Sequence, residues 1–178
     1  MDYPLDGELE PDTRALLAAF RVSLRSKDPD PRMMGLMRDD MPLDLRAWLH
    51  TYAHHSTLVC VGDLWLERRN AKRLGDVIDA FQARDNPRLV RNGVEGLALD
   101  DAIILGNTAD GEVFYAAAWK PGDRVSTLVR FCFAGYNDDG YRALGGLVDG
   151  LRSIADNIED VNDLDEPVRA VLAGDREG

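Results

Sequence analysis

The chain has 178 residues, of which 45% are hydrophobic, and its 21 basic and 32 acidic side chains give a net charge of −11. This length and hydrophobic content are typical of one globular domain and argue against a disordered polypeptide. The excess of acid excludes a general nucleic-acid binder, whose affinity depends on Lys and Arg at phosphates. A basic protein is the partner that such a charge favours.

Two helices are predicted in the first third of the chain. The first follows Pro11 and ends before Pro29 and Pro31, because proline cannot continue a helix. Its apolar face consists of Leu16, Leu17, Phe20 and Leu24. The second begins around Pro42, since proline suits the first position of a helix. Its apolar face consists of Leu45, Trp48, Leu49 and Tyr52.

Strand-like segments fill the middle of the chain. Short apolar runs at 57–61 and 64–67 predict two strands, and a helical stripe at 74–81 separates them from a hairpin. Asp110 and Gly111 mark the hairpin turn, because glycine tolerates the positive φ that such turns require. In the next strand, at 125–133, alternation predicts one well-buried face and one mixed face. The well-buried face consists of Val125, Thr127, Val129, Phe131 and Phe133.

The C-terminal part is predicted to contain two helices. Apolar residues at helical spacing predict the first from about residue 139 to residue 158, although three glycines weaken it. A short second helix carries Val168, Val171 and Leu172. We expect the first to cover the well-buried face of the last strand through Leu144, Leu147, Val148 and Leu151. The order of elements therefore predicts an α+β fold with a largely antiparallel sheet flanked by helices.

Histidine and cysteine are the candidate metal ligands. His50 and His54 stand one helical turn apart, a spacing used by metal-binding pairs, but no third ligand stands at a fixed spacing beside them. We favour the alternative that His54 and His55 lie at a helix C-terminus and bond its carbonyl groups. Cys60 and Cys132 lie in apolar runs outside any CxxC pair and are interpreted as buried thiols. The sequence thus predicts no metal, no cofactor and no catalytic residues.

The N-terminus is acidic and lacks the basic and apolar segments of a secretory signal. No apolar run reaches the roughly 18–20 residues that a bilayer-spanning helix requires. Two cysteines without a predicted disulfide fit a reducing compartment. We therefore expect a cytoplasmic protein with no membrane contact and no direct nucleic-acid contact.

Three segments carry a family resemblance: the proline-started helix at 41–49, the glycine-marked hairpin at 103–115, and the strand at 125–133 with the helix after it. In these segments the chain resembles the SUKH superfamily, the Smi/Knr-like proteins. The resemblance implies an α+β fold without enzymatic activity and, for bacterial members, an immunity protein that neutralises a cognate toxin, often a nuclease or deaminase. It divides the chain into an N-terminal helix and linker (1–40), a SUKH-like core (41–158) and an acidic C-terminal extension (159–178) with an extra helix.

Charge and resemblance together predict an immunity protein whose partner is a basic toxin domain. Residues 137–178 hold 11 acidic and 4 basic side chains. We expect Tyr136, Asp138, Asp139 and Tyr141 to contact the partner, because aromatic rings supply buried area and carboxylates supply orientation. The competing interpretation is that the two acids only cap the following helix. A cytosolic scaffold or regulatory adaptor on the same fold is the alternative function, and a metalloenzyme using His50 or His54 is the third.

Overall fold

A computed structural model describes residues 3–23, 25–26, 28–56, 58–61, 64–80, 96–97, 99–132, 141–156 and 166–174. Within them the chain forms an α+β fold with an antiparallel main sheet, as the order of elements predicts. The helices are α1 (Pro11–Ser23), α2 (Pro31–Leu36), α3 (Leu43–His54), α4 (Leu74–Ala80), α5 (Leu147–Ala155) and α6 (Glu166–Ala173). The strands are β1 (Arg25–Ser26), β2 (His55–Ser56), β3 (Leu58–Val61), β4 (Leu64–Glu67), β5 (Lys72–Arg73), β6 (Ile103–Thr108), β7 (Val113–Ala118), β8 (Thr127–Cys132) and β9 (Tyr141–Gly146).

The main sheet has seven strands, six of them in the order β3-β4-β6-β7-β8-β9. The strands β4 and β5 pair with opposite ends of β6, and β1 and β2 form a separate two-stranded sheet. Neighbouring strands of the main sheet are antiparallel, so short turns can join most of them. The predicted turn between β6 and β7 is confirmed, with Gly111 at a φ of 73°.

Both faces of the main sheet are buried under other elements. Leu128 of β8 lies in an apolar cluster with residues of α1, α3, α5 and α6. Val129 and Phe131 point the other way, into a second cluster with residues of α4. The second cluster takes Leu74, Val77 and Ile78 from that helix. In β8 the prediction of one buried and one mixed face is confirmed, since Val129 and Phe131 are buried while the other face combines buried Leu128 with half-buried Arg130 and Cys132. Helices nevertheless cover the sheet on both sides.

The helix predicted to cover the Phe131 face lies on the opposite side of the sheet. The residues of α5 belong to the cluster that contains Leu128. They are Leu147, Val148 and Leu151. A Cβ atom at Gly150 would stand 2.7 Å from Leu128 Cδ2, so α5 rests directly on that side chain. Alternation identifies the side chains that share a face, but it does not say which helix covers that face.

The predicted helix at 139–158 begins later than expected. Tyr141 pairs with Phe131 across β8 and β9, so the first residues of the predicted helix belong to a strand. Gly145 has a φ of 90°, which a right-handed helix cannot accommodate, and α5 starts only at Leu147. Val125, another member of the predicted core, is 51% exposed. Phe133 lies outside the described residues.

The N-terminal and C-terminal helices contribute to one core. Phe20 of α1 and Val168 of α6 are fully buried in the cluster that also contains residues of α3 and α5. The helices α1, α3 and α6 confirm the predictions from periodicity. The helix α2 was missed, because Pro31 was interpreted as a break although it is the first helical residue. Asp30 caps that helix by accepting a hydrogen bond from the Arg32 N–H at 2.9 Å.

None of the helices in the described part of the chain is long and apolar enough to cross a membrane.

Candidate functional site

An open groove of about 440 Å³ lies where the N-termini of α1, α3 and α5 meet the start of β8. A smaller depression continues it toward Glu8 and Arg124. We call the two together the acidic groove. Its lining carboxylates are Glu8, Glu10, Asp12, Asp44 and Asp149. Five acids against Arg124 in the lining and Arg152 beside it make this a negatively charged concavity.

Local helix physics explains three of these acids. Asp12, Asp44 and Asp149 occupy the first turns of α1, α3 and α5. A carboxylate is favoured there because the unpaired N–H groups of a helix start carry partial positive charge. The fold brings three such helix starts together, so residues far apart in sequence form one charged surface.

Arg152 joins two walls of the acidic groove. Its Nη1 lies 2.9 Å from Asp12 Oδ2 and 3.4 Å from Asp149 Oδ1. Its Nη2 donates a hydrogen bond to the Val171 carbonyl of α6 at 3.2 Å. The two carboxylates remain 60% and 78% exposed, so their outer sides face solvent. One arginine therefore fixes α1, α5 and α6 together without covering the acids.

Asp44 fastens the start of α3 to the residue before β8. Its Oδ2 accepts a hydrogen bond from the Ser126 N–H at 2.9 Å. Its Oδ1 accepts from the Ser126 hydroxyl at 3.0 Å and from the Leu45 N–H at 2.8 Å. Burial raises the pKa of the Asp44 carboxyl, and the hydrogen bonds from Ser126 and Leu45 oppose that rise. This tether sets the position of Val125 in the groove.

We expect Asp44→Asn to lower the free energy of unfolding by about 1–3 kcal/mol. Asparagine has only one side-chain oxygen. Its NH₂ group would therefore face a backbone N–H that now donates a hydrogen bond to Asp44, and two donors cannot pair. Urea unfolding measures the loss. The matched control is Asp149→Asn, whose exposed ion pair predicts a change within about 0.5 kcal/mol. Equal losses in the two variants would contradict a structural role for the Asp44 tether.

A second cluster of polar side chains forms where the N-terminal segment crosses α1 and α3. The Tyr3 hydroxyl shares a hydrogen bond of 2.5 Å with His55 Nε2, and the Arg21 guanidinium lies 3.4 Å from the Tyr3 ring centroid. Arg21 also pairs with Asp6 and donates to the Thr51 hydroxyl at 3.1 Å. These contacts hold the first residues of the structure against both helices.

The three histidines belong to this second cluster, and the rings of His50 and His54 form a tilted pair. The rings of His50 and His54 have centroids 4.4 Å apart, and His54 Nδ1 donates to the His50 carbonyl at 2.9 Å. That bond confirms the expectation that His54 satisfies the C-terminal end of a helix. Burial lowers the pKa of His50, and the nearby His54 and Arg21 lower it further. The cavity beside Tyr3 and His50 has a volume of about 10 Å³, space for about one water.

The structure brings no metal-binding set together in the residues it describes: no group of three His, Cys, Asp or Glu side chains there could hold a metal ion. The thiols of Cys60, on β3, and Cys132, on β8, are half-buried and form no disulfide. Both thiols were expected to be buried.

The predicted partner-binding corner is described only in part. Tyr136, Asp138 and Asp139 lie outside the described residues. Tyr141 lies on β9 with its side chain 5% exposed, and its ring stacks on Phe131 at 4.6 Å between centroids. In the described fold Tyr141 therefore packs in the core beneath α4.

The acidic groove was not predicted from the sequence. Its residues come from three helix starts and one strand start, separated by more than a hundred positions. One signal was available, because an acidic residue stands in the first turn of each helix involved. Nothing in a single sequence says that those helix starts converge.

Comparisons with models of protein families, with curated proteins and with solved structures find no match to this chain.

Proposed function

We propose that this chain is a non-catalytic binding protein of the SUKH type, an immunity protein that neutralises a basic bacterial toxin domain in the cytoplasm. The observation that carries the proposal is the acidic groove, which carboxylates and the exposed side chain of Val125 line together. Such a surface suits a basic protein, because opposite charges steer the encounter and a buried apolar contact slows dissociation.

The charge of the groove supports the toxin class that the SUKH resemblance implies, a nuclease or a deaminase. A nuclease or a nucleic-acid deaminase holds a polyanionic substrate, so its functional surface carries Lys and Arg. A protein with a net charge of −11 is attracted to that surface. An acidic protein seated there occupies the cations that the substrate needs and inhibits the toxin by exclusion.

The proposal predicts a complex with a basic toxin domain encoded beside this chain. We expect the two proteins to co-purify and the toxin's nuclease or deaminase activity to be lost in the complex. The association rate should fall as salt rises from about 0.1 M to about 1 M, because the Debye length shortens from about 10 Å to about 3 Å. Stopped-flow fluorescence measures that rate.

Two outcomes contradict the immunity role. The first is the absence of any complex at low salt. The second is a stable complex in which the toxin keeps full activity, which would favour a cytosolic adaptor. The control is an unrelated acidic protein of similar size and charge. If charge alone were sufficient, this protein would inhibit the toxin equally well.

A further inference from the structure

The floor of the acidic groove is apolar and open to solvent. Val125 is 51% exposed although it stands next to the fully tethered Ser126. Pro11 at the start of α1 also lines the groove and is exposed, whereas Leu147 and Val148 of α5 are buried and contribute little open surface. A partner's apolar side chain that contacts an exposed valine in a concavity buries more of its surface than it would on a flat site.

The rim of the same groove holds negative charge that the chain itself does not neutralise. Glu8 and Glu10 are exposed, and neither forms an ion pair within the described residues. Asp12 and Asp149 share one guanidinium, that of Arg152, and keep their outer sides in solvent. The groove carboxylates therefore outnumber the two arginines beside them, Arg124 and Arg152.

Arg152 also shows what kind of group the rim accepts. A guanidinium already binds carboxylates of α1 and α5 at distances of 2.9 and 3.4 Å. An arginine or lysine from outside would meet the same carboxylates from their exposed side. Charge and shape together thus specify a basic segment with an apolar side chain at its centre.

We infer that the acidic groove is the docking surface for a partner protein and that its occupant is a Lys/Arg-rich loop carrying an aliphatic residue over Val125. The inference rests on the proposed function and adds to it the place and the chemistry of contact. It uses other residues than the predicted corner at Tyr136, Asp138, Asp139 and Tyr141, of which only Tyr141 is described, as a buried side chain.

The competing explanation is that the groove acids only stabilise helix starts. That explanation accounts for Asp12 and Asp149, which lie in first turns. It predicts that charge changes at the rim alter stability and leave binding unchanged. The variants chosen for the test therefore spare both of those residues and their ion pairs with Arg152.

The test uses a fluorescein-labelled peptide in which leucines are flanked by arginines and lysines, with fluorescence anisotropy at low salt as the readout. The groove variant is Glu8→Lys with Glu10→Lys. Its matched control is Asp39→Lys with Glu112→Lys, which makes the same charge change at exposed positions in the turn before α3 and in the turn between β6 and β7. We expect the groove variant to bind the peptide about tenfold more weakly and the control to change less than about threefold.

A third variant tests the floor. Val125→Ser is expected to weaken peptide binding at high salt, where the charges are screened, while thermal unfolding stays close to that of the unmodified chain because the side chain is exposed. A peptide of the same length with glutamates in place of its basic residues should not bind.

The outcomes separate this inference from the proposed function. Equal weakening by the groove variant and its control would show that only net charge matters and would overturn the docking site. The absence of peptide binding to the unmodified chain would overturn it as well. Neither result bears on the toxin experiment. If only the toxin experiment fails, the immunity role is wrong but the groove still binds a basic ligand.

Discussion

The Trp48→Ala variant is expected to lose about 3–5 kcal/mol of unfolding free energy, a large share of the stability of a domain of this size. Trp48 lies on α3 and has no exposed surface. Its ring meets Phe20 of α1 edge-on with centroids 5.0 Å apart, and the Tyr52 ring lies 5.6 Å away. Removing the indole leaves a cavity between α1 and α3, and the surrounding aromatic rings can only partly fill it.

Urea unfolding followed by circular dichroism measures the Trp48→Ala loss. Trp65→Ala is the matched control, because that tryptophan lies on β4 and is only half-buried. Its cost should be clearly smaller, since less apolar surface returns to water. If the two alanine variants unfold at the same urea concentration, the aromatic cluster is not the centre of this core.

Periodicity was sufficient to predict the elements whose residues alternate or repeat without interruption. The stripe containing Phe20 predicts α1, the stripe containing Trp48 predicts α3, and the turn at Gly111 joins two strands as expected. In each case the signal is local, because the repeat of the backbone alone places the apolar side chains on one face. Local signals of this kind are also enough to predict the α+β class.

The strand β9 shows where local patterns become ambiguous. Leu144 and Leu147 stand at helical spacing, yet the helix includes only the second of them. The positive φ of Gly145 separates the two, and pairing with β8 decides the conformation of the residues before it. Tertiary pairing overrode helical periodicity because an available strand edge satisfied the backbone groups of residues 141–146.

The acidic groove shows what a single sequence cannot contain. Acids at the starts of α1, α3 and α5 are individually ordinary choices for helix N-termini. Their meaning as a surface depends on three helix starts converging, which is a property of the packed fold. The sequence prediction placed the partner on the most acidic segment, because composition reports where charge is concentrated along the chain and not where the folded surface forms a groove.

Phe131→Ala is expected to cost about 3–5 kcal/mol, and this variant separates the observed core from the predicted one. Phe131 is fully buried in the cluster beneath α4, and it stacks on Tyr141 with centroids 4.6 Å apart. Strict alternation would place Val125 on the same face and in the same core. The structure instead exposes half of Val125 in the acidic groove, because Asp44 fixes Ser126 before β8 begins.

Val125→Ala is therefore the matched control for the loss at Phe131. An exposed valine should lose no more than about 0.5 kcal/mol on truncation, whereas a buried phenylalanine leaves a cavity that the rigid sheet cannot close. Denaturant unfolding of both variants under the same conditions gives the comparison. A large loss for Val125→Ala together with a small loss for Phe131→Ala would contradict the burial assigned to both side chains. The expected result, a loss at Phe131 several times that at Val125, assigns the Phe131 side chain to the core under α4 and leaves Val125 available to a partner.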